Sequence, residues 1–174
     1  GAASGGARAL VVRMPQTAPP SELVAANNLL VGASASAPAL ALSTIVYQGN
    51  ASRTTWLHQT LHGGATEGGG ERQNTLFGID DGVALLAGTA LVAGGRTGDV
   101  VHGVRRQLGG TIHLVGNAWL EVAQPFASLV RHGETDLSAI DDVNGCAGWT
   151  EGCGALTETN LTATPHFVDL TESP

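Results

Sequence analysis

Small or apolar residues alternate with others along Leu85-Leu86-Ala87-Gly88-Thr89-Ala90-Leu91-Val92-Ala93-Gly94, and three further stretches echo this one: 23–32, 55–64 and 114–122. Anchored on Leu29, Leu61, Leu91 and Leu120, the copies are spaced 32, 30 and 29 residues apart. Counting back by twos gives the expected inward sets: Leu23, Ala25, Asn27; Thr55, Leu57, Gln59; Leu85, Ala87, Thr89; and Leu114, Gly116, Ala118. Period-two patterning that recurs near 30 residues predicts a β-solenoid in which the four anchors stack in one inward column. A second strand-like segment follows each copy or precedes the next, at 39–47, 75–79, 100–106 and 127–130. Glycine-rich corners separate these segments, at Gly63-Gly64, Gly68-Gly69-Gly70, Gly94-Gly95 and Gly109-Gly110. No stretch has a convincing amphipathic helical period, and Pro38 argues against a helix at 34–41. The residues flanking the anchors should face outward. Several of them, such as Leu30, Val92 and Trp119, are apolar where a free solenoid would be polar.

The pattern divides the chain, as one domain, into a lead-in edge strand (1–20), repeated β-coils (21–132) and a C-terminal coil and loop (133–174). Composition agrees with a turn-rich β protein. Charged residues are 13%, about half the usual share, and Gly is 25 of 174. The core must come mostly from Ala, Leu and Val, because aromatics are only 4%. Small side chains suit thin stacked layers.

The net charge is −7, and all eight basic residues are Arg, a composition typical of GC-rich bacterial genomes. One short basic pair, Arg105-Arg106, gives no footprint for nucleic acid. No run of about 18 apolar residues exists, so no transmembrane segment is expected. Cys146 and Cys153 sit between glycines in a tight loop. They are expected to form a disulfide, which favours an exported protein.

Two stretches resemble a known family. Ala25-Ala26-Asn27-Asn28-Leu29-Leu30-Val31-Gly32 resembles the strand-turn-strand of right-handed parallel β-helices in the pectin-lyase-like superfamily. Ala163-Thr164-Pro165-His166-Phe167-Val168-Asp169 resembles the tail after the last coils of bacterial surface members. The resemblance implies an all-β, right-handed parallel β-helix of about four coils with an irregular, disulfide-closed C-terminal segment. It also implies an extracellular or cell-surface home. The spacing near 30 exceeds that family's usual coil, so an extended loop is expected in each turn.

That superfamily includes polygalacturonases, and Asp80-Asp81-Gly82 resembles their paired-Asp strand. Val101-His102-Gly103 partly matches their His motif, and Gly103-Val104-Arg105-Arg106 their Arg motif. The enzyme alternative, a polysaccharide lyase or glycoside hydrolase, therefore rests on Asp80, Asp81, His102 and Arg105. The departures count against it: Val101 replaces the first Gly, no Lys is present, and Asp81 and His102 are 21 residues apart in a repeat of about 30. Glu134, Asp136, Asp141 and Asp142, with Arg131 close, are candidate ligands for Ca²⁺ in an acidic loop.

His58 and His62 are too far apart along a strand, about 13 Å, to share a metal ion. Trp56, Trp119 and Trp149 could stack on a glycan, although core or corner positions are commoner for Trp. Asn50-Ala51-Ser52 and Asn160-Leu161-Thr162 fit the glycosylation sequon, which carries little weight in a bacterial-looking chain. The expected function is a non-enzymatic structural or interaction module of an exported or surface-displayed protein, without cofactor or bound metal. Its expected partner is another protein, or a continuation of the same protein, packed on the N-terminal end around residues 8–32. Phe167 is expected to cover the last layer at the other end.

Overall fold

The computed structural model describes residues 7–13, 22–32, 42–49, 53–63, 73–94, 99–107, 109–122 and 124–164. The chain is all-β and cycles through three parallel sheets. The first repeat supplies β1 (Ala7–Arg13), β2 (Glu22–Ala26) and β3 (Leu29–Val31), and the second β4 (Leu42–Gly49), β5 (Arg53–Leu57) and β6 (Thr60–His62). The third gives β7 (Gln73–Ile79), β8 (Val83–Ala87) and β9 (Ala90–Val92), and the fourth β10 (Val100–Arg106), β11 (Thr111–Val115) and β12 (Ala118–Leu120). Every third strand joins the same sheet. Sheet A runs β1-β4-β7-β10, sheet B β2-β5-β8-β11 and sheet C β3-β6-β9-β12.

The C-terminal segment closes each sheet in a different way. β13 (Ser128–His132) continues sheet A in parallel, and the chain then reverses so that β14 (Thr135–Leu137) pairs with it antiparallel. A five-residue helix, α1 (Ile140–Asn144), follows. The sequence showed no helical period here, because one turn is too short to display one. Asp141 and Asp142 in its first turn suit the positive end of the helix. Cys153 and Glu158 then bridge to Ile112 and Val115 along sheet B, and β15 (Leu161–Ala163) pairs with β12 on sheet C.

The Cys146–Cys153 disulfide is present and closes the loop that carries Trp149. Trp149 is buried with Val143 and Leu137 against the last layer. These three side chains cover the core at this end; Phe167 lies outside the described residues.

The inner column of sheet C is Leu30, Leu61, Leu91 and Trp119. Two of the expected anchors are therefore one residue off: Leu29 is 67% exposed, and Leu120 is paired with outward-facing Val92. A one-residue slip turns every side chain to the opposite face.

The same correction applies to sheet B, where Thr54 and Trp56, Ala84 and Leu86 are buried instead of Thr55, Leu57, Leu85 and Ala87. The cause is one residue between sheets B and C that adopts a left-handed backbone: Asn27, His58, Gly88, Gly116 and, in the last repeat, Thr159. That single residue resets the alternation. Counting by twos through it inverts the parity of the preceding strand. Asn and Gly tolerate this conformation, which explains three of the five residues, Asn27, Gly88 and Gly116.

The core fills as this geometry demands. Trp56 meets Phe77 edge-on, with ring centroids 5.7 Å apart, and Trp119 donates its indole N–H to Leu129 O at 3.0 Å.

Candidate functional site

The residue after each left-handed position turns inward and is polar: Asn28, Gln59, Thr89, Asn117, Asn160. Gln59, Thr89, Asn117 and Asn160 are buried beside the core. Their amides satisfy backbone groups that the turn takes out of the ladders. Asn28 N–H donates to Gln59 Oε1 (3.2 Å), and Thr89 N–H to Asn117 Oδ1 (2.9 Å). Asn117 Nδ2 donates to Leu86 O and to Asn160 Oδ1, both at 3.0 Å. Asn160 Nδ2 donates to Asn144 Oδ1 (2.8 Å), so the stack ends on the last residue of α1. Asn160 cannot serve as a glycosylation acceptor in this fold, since its amide is buried and spent. Only Thr89 breaks the amide series, and its hydroxyl has no hydrogen-bond partner among the described residues.

The residues proposed for chemistry scatter. Asp80 and Asp81 lie at the corner between β7 and β8. Asp80 accepts from the Tyr47 hydroxyl, and Asp81 Oδ1 accepts from Gly82 N–H at 2.7 Å. Ile79 pairs with Arg106, which places this corner five positions beyond His102, about 16 Å along the strand direction. Asp141 and Asp142 are exposed on α1. Among the described residues no three His, Cys, Asp or Glu side chains gather as a metal-ion set.

The structure does bring together His102, Arg131, Asp136 and Glu134, joined by Ser128, at the C-terminal end of sheet A. His102 is paired in register with Thr75 on one side and Ser128 on the other. Its Nδ1 lies 2.7 Å from Ser128 Oγ and 3.8 Å from Asp136 Oδ1. Its Nε2 lies 3.4 Å from Arg131 NH1. Arg131 also contacts Glu134 (3.1 Å) and Asp136 (3.8 Å). Burial holds the His102 pKa below its ordinary value; Asp136 pulls it up, and Arg131 and Arg105 push it down. The imidazole is therefore neutral at pH 7.

A guanidinium can only donate, so Nε2 carries the lone pair and Nδ1 the proton, which goes to Ser128 Oγ. A nucleophile–base–acid relay needs the hydroxyl and the carboxylate on opposite nitrogens of the ring. Here both sit on Nδ1, and Ser128 is fully buried. This arrangement fixes strands β10, β13 and β14 to one another and activates nothing.

Gly103, in the partial His motif, is accounted for by packing. A Cβ there would lie 2.2 Å from Trp119 Nε1 and 2.7 Å from Leu129 O. Arg106 is likewise interior. Its Nε donates to Gly110 O at 2.7 Å, and its NH1 lies 3.1 Å from His132 Nδ1. The three Trp side chains are all buried, leaving none of them to stack on a sugar. The signal that sequence reading missed was the recurrent pair of a left-handed residue and an inward polar one, at 27–28, 58–59, 88–89, 116–117 and 159–160.

No known family model matches the chain, and no curated protein or solved structure is significantly similar to it.

Proposed function

We propose that this chain is a right-handed parallel β-helix of the pectin-lyase-like kind, serving as a non-enzymatic structural or interaction module of an exported or surface-displayed bacterial protein. The observation that carries the reading is the His102 cluster: the one place where His, Arg and carboxylates converge spends both imidazole nitrogens within the fold. The three parallel sheets, visited in cyclic order, support the β-helix. The disulfide supports an oxidising compartment. A partner protein, or a further coil of the same polypeptide, packs against the first repeat. The test is a turnover assay on polygalacturonate and other acidic glycans, with and without Ca²⁺. No turnover is expected. Cleavage that His102→Ala or Asp136→Asn abolishes, in variants that keep the wild-type circular dichroism, would establish the enzyme reading instead.

A further inference from the structure

The two ends of the stacked sheets are unlike. At the C-terminal end every sheet is finished: β14 reverses along sheet A, the 153–158 segment bridges sheet B, and Asn144 bonds the backbone N–H and C=O of Asn160 beside β15. At the N-terminal end β1, β2 and β3 are the last strands of their sheets. Val24 is 65% exposed, Leu29 67%, Val31 52% and Val11 42%, whereas the equivalent interior of the second repeat, Trp56 and Leu61, is 1% exposed. Leu23, Ala25 and Leu30, which belong to the inner columns, are only partly buried. Asn27 and Gly32 donate their N–H groups to Leu57 O (3.0 Å) and His62 O (2.8 Å). Alternation along a strand then turns the backbone of Val24 and Val31 to the open edge. An apolar edge with unpaired donors and acceptors is a template for another strand.

We infer that a second copy of this chain occupies this end, head to head, in a closed twofold dimer. The inference rests on the reading of the chain as an interaction module and names its partner. Stacking in the same sense, head to tail, is blocked because the partner's C-terminal edges are already taken. The surface left for a copy is the N-terminal end itself, and a self-complementary end generates a twofold. The twofold sets β1 antiparallel to β1 of the second copy, which preserves edge-to-edge hydrogen bonding.

Charge selects the same arrangement. Residues 1–50 carry Arg8 and Arg13 against Glu22, whereas residues 133–174 carry eight acids and no Arg. Glu22 is itself paired with Arg53 at 3.6 Å. Head-to-head contact holds the acidic ends of two chains of net charge −7 as far apart as the molecule allows. Strands of seven, five and three residues bound an end face on the order of 500 Å². Two such faces bury about 1,000 Å², the lower limit for a specific interface, so the dimer should form in the micromolar range.

Size-exclusion chromatography with light scattering tests this on the intact chain. The expected mass is twice 17.6 kDa at ~100 µM, falling to one chain on dilution. Val24→Lys and Val31→Lys, on separate strands of the open end, should each abolish the dimer. Leu161→Lys, on the last strand of sheet C, should leave it intact. A monomer at ~100 µM, a filament, or a dimer that survives both valine variants would overturn the inference. If one valine variant fails to fold, the other decides. None of these outcomes bears on the turnover assay, so the dimer can fail while the non-enzymatic reading stands.

Discussion

Asn117 shows what a single side chain does in this fold. It has no exposed surface, and it accepts from Thr89 N–H while donating to Leu86 O and Asn160 Oδ1. Asn117→Ala leaves those groups buried and unpaired, so it should cost about 2–4 kcal/mol in urea unfolding. A loss below about 0.5 kcal/mol would mean that water replaces the amide. His102 makes a second prediction. Its folded pKa lies below the ordinary 6.5, as do those of His113 and His132, with burial the largest cause in each. Below 6.5 the unfolded chain therefore binds more protons than the folded one, and stability present at neutral pH is lost on acidification. The urea midpoint should fall between about pH 7.5 and about pH 5.5, and more shallowly in His102→Gln. A flat profile would show that these rings stay solvated. Neither role was legible in the sequence. Asn117 was passed over between two expected inward positions, and His102 was paired with Asp80 and Asp81 when its partners are Ser128, Arg131 and Asp136.

Among the elements, the strands were the most legible. The segments expected at 75–79, 100–106 and 127–130 match β7, β10 and β13 closely, because β-branched residues cluster there. The repeat length was legible as well, since hydrophobic recurrence survives a parity error within each copy. The parity itself was not. His58 and Thr159 are ordinary residues in a left-handed conformation imposed by the stack, and nothing in their identity announces it. The terminal loop was half legible: the glycine-flanked cysteines predicted the bond, but not that Trp149 between them would seal the core. Replacing both cysteines by serine should lower stability by roughly 2–3 kcal/mol through the freed loop. It should also expose Trp149, with a red-shifted emission relative to the native protein. Unchanged emission and midpoint would show that α1 and β14 hold the loop unaided.

At the scale of the molecule, each repeat touches only its neighbours, so stability is nearly a sum of repeat and interface contributions. The unlike ends make that sum uneven. The amide stack from Asn117 through Asn160 to Asn144, the disulfide and the buried Trp149 all lie in the last third of the chain. The first repeat has partly exposed inner residues and neighbours on one side only. Opening should begin there and travel inward one layer at a time. In the monomer, backbone amides of β2 and β3 should exchange with deuterium first, those of β5 and β6 next, and those of β11 and β12 near the rate of global unfolding. Uniform exchange across the layers would show that the stack unfolds as a single unit. The layered order carries a directional consequence: the chain should refold as a zipper seeded at its C-terminal end. Pulled by its N-terminus, it would peel one layer after another, and pulled by its C-terminus it would resist until the seed gives way.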